Sequence, residues 1–275
     1  MMSDKVQQYY DGMAENEWGR LERHPMEYAV TMRAMAEFLP KPPATVLDIG
    51  GGPGRYSIAL AQQGYRVTLL DLAPGLLDFA RKKADEAGVD LADIICGNGL
   101  DLAPLPDGAF DAVLLMGPLY HLLRAEGRQQ AVAEAFRVLK SGGVCFASFI
   151  GRYAAFRDVA AYEPQWLLEH AEQARAILES GVSVVPDGGG FTDAYFAHPA
   201  EIRPLMEGGG FESLALIAVE ALVDQVEEKV NALTGQAWEA WVDLSYRTGV
   251  DPCLHGASSH LLWVGRRRAG GENFD

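Results

Sequence analysis

Apolar residues fall into short β-rich runs separated by helical stretches. TVLDIG (45–50), RVTLLD (66–71), ADIIC (92–96), FDAVLLM (110–116) and VCFASFI (144–150) read as strands. Helical spacing fills the gaps between them. Arg55 to Gln63 is closed by Gly64, a segment from Pro74 to Ala87 is stopped by Gly88, and Ala125 to Lys140 ends at Ser141-Gly142-Gly143. Strands alternating with helices over 45–150 predict a parallel sheet with right-handed crossovers and helices on both faces.

The flanks are less regular. Pro25 opens a helical pattern in which Tyr28, Met32, Met35, Ala36 and Leu39 recur, and prolines 40, 42 and 43 end it. This makes 1–44 an N-terminal helical cap. After residue 150 the spacing predicts a helix at about 162–180 and a loop rich in glycine and aromatics at 186–199. FESLALIAVEAL (211–222) is a sixth strand, 224–249 is helical and SHLLWVGRR (259–267) is a closing strand. Segments 151–198 and 224–258 hold too few apolar residues for cores of their own. They read as insertions over one mouth of the sheet, inside a single domain at 45–275.

Charge narrows the classes of partner. The 275 residues carry 23 Lys and Arg against 38 Asp and Glu, a formal charge of −15. Such a surface repels phosphate backbones, so neither nucleic acid nor an anionic membrane is an expected partner. The N-terminal residues lack a signal-peptide pattern and no apolar run is long enough to span a bilayer, so a cytoplasmic protein is expected. Cys96, Cys145 and Cys253 are widely spaced, which suggests neither disulfides nor a thiolate zinc site. Cys96 and Cys145 lie in apolar runs and are expected to be buried. Paired histidines at helical spacing are absent, so no metal is expected.

The sharpest chemical signal is Asp48-Ile49-Gly50-Gly51-Gly52-Pro53-Gly54, where a strand ends in a glycine turn. A Cβ there would keep a ligand away from the backbone. Asp71 ends the next strand, beside that turn in a doubly wound sheet, where a carboxylate can take both hydroxyls of a ribose. A dinucleotide fingerprint fits poorly. Counted from Gly50 its third glycine falls on Arg55, and counted from Gly52 on Ser57. Asp48 would also repel a pyrophosphate, but it suits a ligand carrying an ammonium group.

The run D-x-G-G-G-P-G resembles motif I of class I S-adenosylmethionine-dependent methyltransferases. LLDLAP (69–74), FDAVLLMGPLYHL (110–122) and EAFRVLKSGG (134–143) resemble the later motifs of that family in the same order, most closely in the ubiquinone- and menaquinone-biosynthesis-like branch. The resemblance implies a Rossmann-like α/β fold: a seven-stranded, mostly parallel sheet with helices on both faces and an antiparallel last strand. It implies S-adenosyl-L-methionine as cofactor and S-adenosyl-L-homocysteine as product. Asp48, Gly50, Gly52 and Gly54 would hold the methionine end and Asp71 the ribose. Leu72 would pack on the adenine, with Asn98 and Gly99 at its amino group, and Met116 and Gly117 would border the methionine moiety. Asn98 stands where the family commonly has Asp.

Methyl transfer is an in-line displacement, so the protein's main task is to hold the acceptor on axis in a dry pocket. His121, with a free pKa near neutrality, is the candidate base, and Tyr120 lies beside it. Tyr10 and Trp18 are candidates to close the site. Arg152, Tyr153, Tyr195, His198, Trp238, Trp241 and Arg247 are candidates to line an acceptor pocket, and GGGFTDAYFAHP (188–199) to cover it. The expected activity is methyl transfer to a small molecule. A protein or RNA methyltransferase, an NAD(P)-dependent oxidoreductase and a non-catalytic cofactor-binding module are the alternatives. Neither the acceptor atom nor the oligomeric state is legible.

Overall fold

The computed structural model describes residues 4–185 and 192–268. Three helices come first: α1 (Asp4–Asp11), α2 (Ala14–Arg23) and α3 (Pro25–Phe38). The alternating region follows as β1 (Thr45–Ile49), α4 (Arg55–Gln62), β2 (Arg66–Asp71), α5 (Pro74–Ala87), β3 (Asp93–Cys96) and β4 (Phe110–Leu115). A 3₁₀ turn at Pro118–His121 leads to α6 (Ala125–Val138) and β5 (Leu139–Gly151). Next come α7 (Ala154–Tyr162), α8 (Trp166–Glu169), α9 (Ala171–Ser180), β6 (Val182–Ser183), β7 (Ala194–Ala197), α10 (Pro199–Gly208) and β8 (Phe211–Ala218). A 3₁₀ turn at Ala221–Val226, α11 (Glu227–Asn231), α12 (Gly235–Gly249), α13 (Pro252–His255) and β9 (His260–Arg267) complete the chain.

The sheet runs β3-β2-β1-β4-β5-β9-β8, with β9 antiparallel to both neighbours. That is the expected mostly parallel sheet. Two short strands raise the count to nine. β7 pairs in parallel with the last residues of β5, and β6 pairs antiparallel with β7. The segment read as an aromatic loop over the site is therefore partly sheet. Tyr195 and Phe196 are buried because β5 overruns its neighbours and offers them an edge. Residues 188–191 of that proposed cover lie outside the described residues.

Side chains alternate across the sheet with period two. Val46, Ala112, Leu114, Phe146 and Val264 face α3 and α12, while Leu47, Ile49, Val113, Leu115, Cys145 and Trp263 face the side of α6 and α10. α3 buries Met26, Glu27, Val30, Thr31, Ala34 and Met35, a stripe rotated from the one its apolar spacing suggested. Tyr28 and Met32 only flank it. Glu27 is buried because it meets a cation, Arg20, on α2. Cys145 is buried as expected, but Cys96 is exposed, since β3 is the sheet edge. No helix among the described residues is long and apolar enough to cross a membrane.

The helix expected at about 162–180 is broken into two, α8 and α9, with α7 preceding it, and the one at 224–249 into a 3₁₀ turn, α11 and α12. Gly181 ends α9 in the left-handed region, and a Cβ there would strike the Phe196 carbonyl. One glycine carries a fold-level consequence. A Cβ on Gly265 in β9 would fall inside the Trp263 ring and 2.6 Å from the Glu212 carbonyl oxygen of β8. Trp263 is fully buried and its indole N–H donates to Ser213 Oγ at 2.9 Å, so it has no room to yield. Gly265→Ala should cost ~1–3 kcal/mol by overpacking, read as a lower urea midpoint at unchanged slope. An unchanged midpoint would show that the β8–β9 face can relax.

Candidate active site

The end of β1 meets the end of β4 backbone against backbone. Gly50 has φ +70°, and a Cβ there would lie 2.7 Å from Pro118 Cδ. A Cβ on Gly117 would lie 2.6 Å from the Gly50 carbonyl oxygen. Only glycine serves at these two positions. The strand ends therefore stop without side chains and leave a floor of bare peptide.

Asp71 fastens that floor. Its Oδ2 accepts from the Gly52 N–H at 2.8 Å and its Oδ1 from the Ala73 N–H at 2.9 Å. Burial raises its pKa, against the pull of these backbone donors. Ala73, not Asp71, is the N-cap of α5, so Asp71 is no ordinary helix cap. Each carboxylate oxygen retains a lone pair for a ligand hydroxyl.

A cavity opens over this floor, with about 600 Å³ of space not filled by protein, solvent at its mouth included. Typical cofactor pockets span ~300–1,000 Å³. Its floor and walls include Gly50, Gly52, Asp71, Leu72, Gly97 and Gly99. Gly117, Tyr120 and His121 close the side toward β4, and Tyr10 of α1 with Glu17 of α2 forms the roof. Of the expected residues, the structure thus brings together Gly50, Gly52, Asp71, Leu72, Gly99, Gly117, Tyr120, His121 and Tyr10.

It does not bring the others. Asp48 lies beneath the turn, not in its mouth. Its Oδ2 accepts from Ser57 Oγ at 2.7 Å, and burial pushes its pKa up to about 7. Its Oδ1 is buried without a partner among the described residues. Gly54 caps α4 and packs on Leu69 and Ala80. Asn98 spends its Oδ1 on the Leu100 N–H at 3.0 Å, so its neighbours Gly97 and Gly99 form the wall instead. Met116 packs into the core on the α3 side. Trp18 turns outward, where Arg55 stacks on its ring and Phe79 lies at 6.0 Å.

The acceptor candidates of 151–198 are not in the lining of this cavity. Arg152 is buried, donating to the Phe196 and Leu178 carbonyls and forking Glu201. Tyr195 donates to Glu201 and lies under the Arg128 guanidinium, in a separate cavity beside α6 and α10. His198 caps α10 by accepting from the Ala200 N–H, and Tyr153 is exposed, edge-on to it. Trp238 packs against the α3-side core, Trp241 is exposed, and Arg247 pairs with Asp243 on its own helix. Among the described residues neither 151–198 nor 224–258 supplies a wall of the cavity.

The two expected catalysts, His121 and Tyr120, both line the cavity, and burial shifts both. Burial drives the His121 pKa down to about 4, opposed by a hydrogen bond to the backbone at Asp193. Burial thus favours the neutral imidazole over the charged ring. Its Nε2 meets the Tyr10 hydroxyl at 3.1 Å, latching α1 over the cavity. Burial likewise raises the Tyr120 hydroxyl above its ordinary value, so it stays protonated. Sequence reasoning missed the roof residues Val6, Gln7 and Glu17, because nothing local marks which face of α1 and α2 turns inward. Burial raises the Glu17 pKa.

Comparison with known proteins agrees with this geometry. Residues 47–147 match the family model described as a methyltransferase domain. A ubiquinone biosynthesis O-methyltransferase of Xanthomonas axonopodis pv. citri is 30% identical over 76% of this chain and 73% of its own. A ubiquinone/menaquinone biosynthesis C-methyltransferase of Methylobacterium nodulans is 36% identical over 37% of this chain and 40% of its own. An S-adenosylmethionine-dependent methyltransferase structure from Methanosarcina mazei shares the fold, with a TM-score of 0.60 at 19% identity, covering 86% of this chain and 97% of that one. A glycine floor with no Cβ and a ribose-competent carboxylate beside it fit an adenosine brought close to the backbone. The chain therefore belongs to the class I S-adenosylmethionine-dependent methyltransferases, in their ubiquinone-biosynthesis-like branch, and takes S-adenosylmethionine as its cofactor.

Proposed function

We propose that this methyltransferase acts on a small-molecule acceptor, with the roofed cavity as its active site. The observation that carries the reading is the roof itself. Tyr10 of α1 and Glu17 of α2 sit over the glycine floor, so the cavity is a chamber and not a groove for an extended polymer. The −15 charge further disfavours a nucleic acid. Relatives named for ubiquinone and menaquinone biosynthesis point the same way.

When bound, the cofactor supplies a methyl group on a positively charged sulfur. The chain's residues bind and orient. The peptide floor at Gly50 and Gly52 and the Asp71 carboxylate would hold the nucleoside and its tail, with Leu72 against the base. Gly117 and Tyr120 would border the reacting end, and the Tyr10–His121 latch would exclude water. The insertions 151–198 and 224–258 would act from outside this chamber, buttressing the sheet edge and α3.

The direct test adds fractions of a cell extract to the protein with S-adenosylmethionine. S-adenosylhomocysteine should form with a dialysable metabolite fraction. Formation only with the RNA or the protein fraction would overturn the small-molecule reading. Asp71→Ala should weaken S-adenosylhomocysteine binding by ~1–3 kcal/mol by calorimetry, the range for hydrogen bonds to a charged group. Unchanged affinity would mean that Asp71 only fastens the turn.

The latch has a pH signature. A histidine whose folded pKa is about 4 binds fewer protons than its unfolded form between that value and about 6.5. Its contribution is present above pH ~6.5 and lost as pH falls toward 4, by up to ~3 kcal/mol. His121→Gln should flatten that part of the stability–pH curve from urea melts. A variant curve parallel to wild type from pH 7 to 4 would refute the burial of a neutral imidazole.

A further inference from the structure

The cavity that holds Tyr195 shares no lining residue with the roofed chamber. It opens between α6, the end of β5, β7 and α10, with about 530 Å³ of space not filled by protein, solvent at its mouth included. Ordinary ligand pockets span ~300–1,000 Å³. Part of its wall is apolar, built by Phe149, Ile202 and Leu205, and part carries Arg128, Tyr195 and Glu201.

Two arginines are buried among the described residues, Arg128 and Arg152. A buried cation is normally paired with an acid, because its lost hydration is otherwise uncompensated. Arg152 follows the rule and donates to both Glu201 oxygens at 2.8 and 2.9 Å. Arg128 pairs with no carboxylate among the described residues. Its Nη1 donates to the Leu122 and Leu123 carbonyls at 2.6 and 2.9 Å, and its Cζ lies 3.5 Å from the centroid of the Tyr195 ring. These contacts fix the plane of the guanidinium and use one corner of it. The edge formed by Nε and Nη2 donates to nothing among the described residues, and neither atom is sealed from solvent. That edge presents two parallel N–H bonds, the pair that grips both oxygens of a carboxylate.

The acids nearby are already committed. Glu201 takes Arg152 on both oxygens, and its Oε2 also accepts from the Tyr195 hydroxyl and from the His198 N–H. Glu126 is exposed and pairs with Arg124 at 3.6 Å. Two guanidiniums around the cavity therefore face one carboxylate, a local positive surplus in a chain of formal charge −15. Burial lowers the Arg128 pKa, and the acids do not restore it. Ala125, the first residue of α6, also lines the cavity, and no side chain caps that helix, so the positive end of its dipole adds to the field. Water alone would satisfy the free edge but would also wet the apolar wall. An anion with a hydrocarbon body satisfies both.

We propose that this cavity is a second binding site, which takes a small organic monocarboxylate with an aromatic or branched hydrocarbon body. The carboxylate lies on the Nε–Nη2 edge of Arg128, and the body lies against Phe149, Ile202 and Leu205. A bare inorganic anion would use the edge but not the wall, and a neutral ligand the wall but not the edge. The site stands apart from methyl transfer and does not rest on the nature of the acceptor. Arg128 also holds the two carbonyls that follow the turn carrying Tyr120 and His121, so the residue that anchors the occupant also braces the chamber's wall.

The test loads the whole chain with S-adenosylhomocysteine, which keeps the chamber's cofactor site filled, and titrates benzoate by calorimetry. Benzoate should bind. Benzamide, its neutral counterpart, should bind ~10–100-fold more weakly, the range for hydrogen bonds to charged groups. Acetate and inorganic phosphate lack the hydrocarbon and should each bind ~10-fold more weakly or worse. Arg128→Lys keeps the charge but loses the fork, and should weaken benzoate by ~10-fold or more. Leu205→Trp fills the cavity, leaves Arg128 in place, and should abolish benzoate binding while S-adenosylhomocysteine binds as in wild type. The S-adenosylhomocysteine affinity reports whether each variant is folded, and either variant decides if the other is not. No benzoate binding at millimolar concentration would overturn the site. Benzamide binding as well as benzoate would overturn the anion, and phosphate binding more tightly than benzoate would overturn the hydrocarbon body. Benzoate binding unchanged in Leu205→Trp or Arg128→Lys would place it elsewhere and overturn the assignment to this cavity.

Discussion

The site depends on one close approach, the Gly50 carbonyl against Gly117. Where two parallel strands end side by side, ordinary residues would fill the space above them with side chains. Here a Cβ on either residue is blocked, by Pro118 from one side and by the peptide of β1 from the other. The ladder between β1 and β4 therefore ends in peptide alone. Asp71 then reaches across from β2 to bind the Gly52 N–H, so three strand ends are locked into one surface. A cofactor that needs backbone donors and a carboxylate finds both already fixed, and little ordering remains to oppose binding.

The roof is held by charge, not by apolar contact alone. α2 carries Arg20 inward, where Glu27 of α3 receives it in a two-point fork. Burial works against Glu27, but Arg20 and His260 hold its carboxyl near 2, so it is ionised at any physiological pH. Removing one partner of such a pair leaves an uncompensated buried charge, typically worth ~3–5 kcal/mol. The pair therefore fixes where α2 lies, and with it Glu17 above the chamber. α1 is attached differently, through the Tyr10 hydroxyl on neutral His121. The Asp11 carboxylate at the end of α1 adds a second tie, accepting from the Gly75 N–H of α5 at 3.2 Å.

The alternating core from β1 to β5 was legible because each strand is a short apolar run and each helix carries its own stop signal. The glycine floor and Asp71 were legible for the same reason, since their roles follow from local backbone demands. Asp48 and Asn98 were misplaced because sequence position says nothing of which way a side chain turns. Ser57 pulls one under the floor and the Leu100 N–H claims the other. Arg152, Tyr195 and His198 looked available in sequence, but they spend their polar atoms on Glu201 and α10. Glu27 was not among the residues singled out from the sequence. Its partners lie on other elements, at Arg20, Glu220 and His260, and only the folded chain assembles them.

Two enclosed histidines, His121 and His260, show how far surroundings decide chemistry. His121 stands in the more obvious place, directly after β4, where burial outweighs a backbone hydrogen bond and favours the neutral ring. His260 is also enclosed, but two carboxylates repay the loss of hydration and favour the charged ring. Two copies of one side chain are thus driven to opposite sides of neutrality. The strained turn at Ala221 belongs to the same logic, since it is what carries Glu220 to the ring it holds.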